Sequence, residues 1–292
     1  MASNPAFNRL EQDAQSGYAA FQEPGRQGGA NPNNPMNVSY AQQGMADQWG
    51  SQQQLQDMYN QPSAGPVQTG RVTMDDVIMK TLGLFALVLG FGAVGWIVAM
   101  RSPELGFMLW MGGMIGTLVL GLVIAFKKTL SVPLIVGYAV LEGLFVGAVS
   151  QVFEERWPGV VATAAVATAA TFIGMFLAYK SGLIKVTDKF RRIVTMMIFG
   201  YAIFAVVNFL YAMFFPGAPQ FGFGGDGPLG IAISVFAVGL ASVSLALDFD
   251  MIDRAIATGA PQKYSWLLAH GLIVTVVWLY IEFLRLFARM RE

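Results

Sequence analysis

Seven apolar runs fill the chain from about Thr81 to Phe287, divided by short polar stretches. They read approximately as Thr81–Met100, Leu105–Phe126, Val132–Phe153, Gly159–Tyr179, Ile193–Phe215, Pro228–Leu247 and Trp266–Phe287. A hydrocarbon core needs about 20 apolar residues per helix, and each run meets that length. The pattern predicts an all-α, polytopic membrane protein with seven transmembrane helices. Ahead of the first run, Thr73 followed by Asp76 reads as a helix N-cap with an acid in the first turn. Lys80 is placed to snorkel toward the headgroups. Small residues mark close helix packing: Gly112 and Gly116 in the second run, and the stretch Ala162 to Ala170 in the fourth.

Residues 1–70 follow another pattern. They are rich in Gln, Asn, Gly and Pro and poor in branched aliphatics. Such a tract cannot bury enough apolar surface to offset chain entropy, so it is expected to be a disordered tail. Its scattered aromatics (Phe7, Tyr18, Phe21, Tyr40, Trp49 and Tyr59) are the candidates if it binds a partner. The seven-helix domain is expected over 73–288.

Composition narrows the chemistry. Charged residues make up 12% of the chain, about half of what a soluble domain carries. The net charge is +0, so there is no electrostatic case for nucleic acid. There is no cysteine and one histidine, His270. Thiolate or His-based metal sites, Cys nucleophiles and a Ser-His-Asp triad are therefore not expected, nor is any bound cofactor. Phosphate-cradling glycine loops, zincin His pairs and Gly-x-Ser-x-Gly are missing too, so the chain is expected not to be an enzyme. No apolar run sits at the extreme N-terminus, so no cleaved signal peptide is expected.

Lys127 and Lys128 follow the second run; Lys180, Lys185, Lys189, Arg191 and Arg192 surround the loop after the fourth; Arg254 and Lys263 surround the loop after the sixth. The alternate loops hold only Arg101 and Arg156. The positive-inside rule puts the N-terminus in the cytoplasm and, after seven crossings, the C-terminus outside. Arg285, Arg289 and Arg291 pull against that last step. Either they are outvoted or the seventh helix does not cross fully.

Ionisable groups at membrane depth are costly and are functional candidates. In the sixth run, Ser234, Ala237, Ala241, Ser244 and Asp248 share one helical face. Either this face looks into the bundle, or its hydroxyls bond their own backbone and Asp248 marks the membrane edge. Gly271, Thr275, Trp278 and Glu282 share a face of the seventh. Counted from Trp266, Glu282 lies about 24 Å in; counted from Gly271, about 17 Å. The first count makes it interfacial and paired with Arg285 or Arg289; the second brings it toward Asp248. Glu142, one turn after Tyr138, lies near the centre of the third run. It is either a protonated, hydrogen-bonding structural group or a proton or cation site. Asn208 reads as helix glue, and His270 as a packed or a pH-sensing group.

The span count, Leu247-Asp248-Phe249-Asp250-Met251-Ile252-Asp253, and the run from Leu279 to Phe287 (Leu-Tyr-Ile-Glu-Phe-Leu-Arg-Leu-Phe) resemble the Bax inhibitor-1 family. This is also called the transmembrane Bax inhibitor motif or YccA-like family. The chain looks most like a bacterial branch with a polar, Gln-rich amino-terminal extension. The resemblance implies a seventh helix at the centre of the other six, and a place in the bacterial inner membrane. It implies a pH-sensitive calcium leak closed by two acidic residues, with a basic residue near helix two as a latch. Asp248 falls at the first acid, and Glu282 stands where the family usually has Asp. Lys127 or Lys128 is the candidate latch; Glu142, Ser244 and Thr275 are candidate pore-lining groups. The alternative it implies is a non-conducting regulator that binds a membrane-anchored quality-control protease. Beyond the lipid bilayer, that protease is the one partner expected.

Overall fold

A computed structural model describes residues 70–127, 129–219 and 221–292. The predicted tail, apart from Gly70, and Lys128 lie outside them. Seven helices follow in order: α1 (Met74–Arg101), α2 (Pro103–Phe126), α3 (Val132–Arg156), α4 (Val160–Lys180), α5 (Asp188–Phe214), α6 (Pro228–Ala257) and α7 (Tyr264–Arg289). Each is long and apolar enough to cross a membrane.

Local chemistry sets the starts. Proline occupies the first turn of α2, α3 and α6, where its missing N–H costs nothing. Thr73 caps α1 by accepting from the Asp76 N–H at 3.2 Å, and Thr187 caps α5 by accepting from Phe190 at the same distance. The start of α4 is capped from the helix before it: Glu154 accepts from the N–H groups of Gly159 and Val161, at 2.6 and 3.1 Å. Gly159 turns the chain there with φ +83, a conformation that disfavours a side chain.

Three helices outrun by five residues or more the apolar runs that predict them. α1 begins at Met74, directly after the predicted Thr73 cap and ahead of its apolar run, α5 begins at Asp188 rather than Ile193, and α6 continues through the acidic stretch to Ala257 rather than stopping at Leu247. Hydropathy marks where the hydrocarbon begins, whereas a helix can continue into water if its polar groups are partnered. Those of α6 are: Asp250 accepts from Arg191 of α5 at 2.5 Å and from Arg254 at 2.8 Å, and Asp253 accepts from Tyr179 of α4 at 2.9 Å.

α7 packs directly against α1, α3, α4 and α6, and it is the most buried of the spans. Leu272, Leu279, Phe283 and Leu284 of α7 share one core with Val149 and Phe153 of α3, Ala164 of α4, and Leu245 and Phe249 of α6. A second core joins Ile273 and Val277 of α7 to Leu84 and Val88 of α1 and to Ile135 and Ala139 of α3. The tightest backbone approach is between α1 and α3. A Cβ at Gly147 would run into the Gly92 carbonyl, and one at Gly95 into the Leu144 carbonyl. In α2, Gly113 and Gly116 pack against Phe145 and Leu141 of α3 and Gly106 against Ala99 of α1; at Gly112 a Cβ would meet nothing within 4 Å.

α7 crosses the bundle completely. Its start is tied to the first helix: Lys80 donates to Ser265 at 2.5 Å, Gln262 donates to Asp76 at 3.0 Å, and Val72 pairs with the Ala260 carbonyl. Its end lies against the two loops at the opposite face. Arg291 donates to the Pro158 carbonyl at 2.6 Å, and Arg289 donates to the carbonyls of Phe221 and Gly230 and to Ser234. The described chain thus starts and finishes at opposite faces of the bundle. Arg289 and Arg291 both donate to backbone carbonyls of the chain at that face.

Candidate functional site

The acidic side chains within the bundle sit at two levels along α7. Glu142 of α3 is buried and accepts from the Tyr138 hydroxyl at 2.9 Å. Tyr138 in turn meets the edge of His270 of α7, with ring centroids 4.5 Å apart. The other carboxylate oxygen of Glu142 is buried and has no hydrogen-bond partner among the described residues.

Asp248 of α6 faces the Thr275 hydroxyl of α7. That hydroxyl donates to its own helix, to the Gly271 carbonyl at 3.2 Å. Asp248 Oδ2 is likewise buried and without a partner among the described residues. Glu142 lies ten residues into α3, and Asp248 nine residues before the end of α6. At 1.5 Å per residue both are about 14–15 Å along their helices from the face carrying the start of α7.

Glu282 sits on α7 about 10 Å beyond the level of Thr275. Its Oε1 accepts from three donors: Tyr201 of α5 at 2.7 Å, Trp278 at 3.1 Å and Arg285 at 3.3 Å. Tyr201 and Trp278 also stack, centroids 5.6 Å apart. Glu282 therefore has its own cation, and no hydrogen bond or ion pair joins it to Asp248 among the described residues.

Ser244 is buried and donates to its own helix, to the Leu240 carbonyl at 2.9 Å. Lys127 is exposed and lines a shallow pocket with Tyr264 and Leu267 at the start of α7. Leu267 is about 22 Å along α7 from Glu282, so Lys127 and Glu282 lie at opposite ends of that helix. Lys128 lies outside the described residues. Asn208 of α5 holds the loop after it, donating to the Phe221 carbonyl at 3.1 Å and accepting from the Phe223 N–H at 2.6 Å.

Tyr201 and Tyr280 were not candidates from the sequence; Arg289, expected there as one possible partner of Glu282, turns instead to Gly230, Ser234 and Phe221. Tyr280 shares a 2.7 Å hydrogen bond with Ser150 of α3. A signal for the tyrosines was present: Tyr201 and Tyr280 fall inside apolar runs, away from the interfacial belts, where a phenol needs a partner. What such a signal does not give is the partner's identity.

An orphan carboxylate oxygen is a free valence for a proton or a cation. Two of them lie on different helices beside α7 at about one depth. Among the described residues no three His, Cys, Asp or Glu side chains cluster as a metal cage.

No individually curated protein matches the chain. The family model described as Bax inhibitor 1 like matches residues 4–292, and the chain, an integral membrane protein with seven membrane-length helices among its described residues, belongs to that family.

Proposed function

We propose that this protein is a pH-sensitive cation leak of a bacterial inner membrane, with calcium as the transported ion. The observation that carries the reading is the pair of unsatisfied buried oxygens, Glu142 Oε2 and Asp248 Oδ2, at about one depth beside the central helix. Protonation of either group removes the negative charge that attracts a cation, and deprotonation restores it, so conduction through them depends on pH. Glu282 serves as the second acidic station, held by Arg285 and Tyr201 until one of those bonds opens. Its Glu-for-Asp departure adds one methylene and keeps the charge. The N-terminus lies in the cytoplasm in this reading, because the α2–α3, α4–α5 and α6–α7 loops and the helix ends around them carry most of the exposed Lys and Arg.

The test is calcium flux into vesicles that hold a calcium dye and the reconstituted full chain. Asp248→Ala is expected to change the pH dependence of the flux. A flux and pH profile equal to those of the unmodified chain would remove Asp248 from the path. Deleting residues 1–70 is expected to leave flux intact; flux lost with the tail would move the function to that segment.

A further inference from the structure

α5 stands apart from the rest of the bundle. Among the helices its backbone comes close only to that of α6, it reaches α7 through the Tyr201 side chain, and its one fully buried residue is Val194. Between α5 and α6 runs a groove of about 350 Å³, lined by Met197, Gly200, Tyr201, Phe204, Ile233 and Phe236. Five of these side chains and a glycine form a slot for something apolar, at membrane depth.

One corner of the groove is charged. The Tyr201 hydroxyl meets Glu282 Oε1, and Arg285 donates to that same oxygen. Glu282 is buried, but the Arg285 side chain is 42% exposed. A guanidinium has five N–H donors, and the carboxylate takes one of those of Arg285, at 3.3 Å. Its neighbour Arg289 is instead turned to Gly230, Ser234 and Phe221. Arg285 therefore keeps donors for an outside anion.

Depth decides which anion. Arg285 is four residues from the end of α7, about 6 Å below that face, the level of lipid phosphates and glycerol. Ile233 and Phe236 are five and eight residues from the start of α6 at the same face, about 7–12 Å down. The groove thus starts just beneath the cation and runs toward mid-membrane. A phospholipid offers a phosphate followed by an acyl chain in that order and at that spacing. We propose that a bilayer phospholipid occupies this site, its phosphate on Arg285 and one acyl chain in the groove between α5 and α6. The proposal holds whether or not the protein conducts. Because Tyr201 is both groove wall and donor to Glu282, the lipid bears directly on the Glu282 cluster.

Native mass spectrometry of the full chain, released from micelles doped with dioleoylphosphatidylglycerol, tests it. One lipid per chain is expected to survive activation that strips the others. Gly200→Phe fills the groove; a Cβ at Gly200 meets nothing within 4 Å, so the change should not disturb the fold. It and Arg285→Gln are each expected to lower occupancy about tenfold, the loss of one charge-assisted contact or of the chain's seat. Lys185→Gln, at the opposite face, is expected to retain the lipid. Three results overturn the proposal: wild-type occupancy in Gly200→Phe with an unchanged melting profile, equal loss in Lys185→Gln, or a protein dimer in place of the lipid adduct. If Arg285→Gln does not fold, the Gly200→Phe result decides.

Discussion

The Tyr201 hydroxyl of α5 donates a 2.7 Å hydrogen bond to Glu282 Oε1 of α7, across a gap that the two helix backbones do not close. Together with the stack of Tyr201 on Trp278, it is the main tie between α5 and the core. At the start of α5 the tie is the ion pair of Arg191 with Asp250, and near its end Asn208 holds the following loop.

Tyr201→Phe removes the donor and keeps the stack. Polar contacts between membrane helices average about 0.6 kcal/mol, with a maximum of about 1.7. The acceptor here is a carboxylate, which favours the upper end of that range. A double-mutant cycle with Glu282→Gln, read from unfolding in mixed micelles, is expected to give a coupling of about 1 kcal/mol. Additive effects of the two changes would mean that the bond contributes nothing to holding α5.

Glycine substitutions separate packing from sequence pattern. Gly147 and Gly174 both lie inside apolar helices, and nothing in the one-dimensional pattern tells them apart. Gly147 faces the Gly92 carbonyl so closely that a methyl forces α1 and α3 apart, whereas Gly174 has nothing within 4 Å. Gly147→Ala is expected to cost about 1–3 kcal/mol, the usual range for overpacking, or more because the obstacle is backbone. Gly174→Ala is expected to be neutral or to gain up to about 1 kcal/mol of helix propensity. Equal melting shifts for the two would contradict the α1–α3 approach.

The same contrast explains how much of this molecule is legible in its sequence. Helix number, order and approximate bounds follow from hydropathy, because a bilayer demands long apolar segments. The Thr73 cap is legible because its chemistry is local. Which glycine packs is not, as Gly112 and Gly113 show: adjacent residues point about 100° apart, and only the partner helix decides between them. The acidic candidates stand out by cost. Their partners are 81 residues apart for Tyr201 and Glu282 and 59 apart for Arg191 and Asp250, and no helical periodicity links positions on different helices.

Membrane orientation is open to direct labelling, since the chain has no cysteine of its own. Ser181 in the α4–α5 loop and Asp226 before α6 are both exposed and lie at opposite faces of the bundle. In intact inner-membrane vesicles of right-side-out orientation, an impermeant maleimide is expected to modify Asp226→Cys and not Ser181→Cys, with both reacting after permeabilisation. Labelling in the reverse order would invert the topology and place the basic loops outside.

Glu142→Gln addresses the unsatisfied oxygens most directly. The amide keeps an oxygen to accept from Tyr138, as Oε1 does now at 2.9 Å. At the orphan position it places an NH2 that can neither bind a cation nor release a proton. The shape is conserved and one burdensome ionisable group is removed, so stability is expected to change by less than about 1.5 kcal/mol, as for an isosteric swap. Flux is expected to fall toward the level of empty vesicles and to lose its pH dependence at this site. Glu142→Asp, which retains the charge on a shorter arm, is expected to keep part of both. If Glu142→Gln conducts calcium as the unmodified chain does, with the same melting profile, the buried acid is a structural hydrogen-bonding group and the conduction path does not pass it.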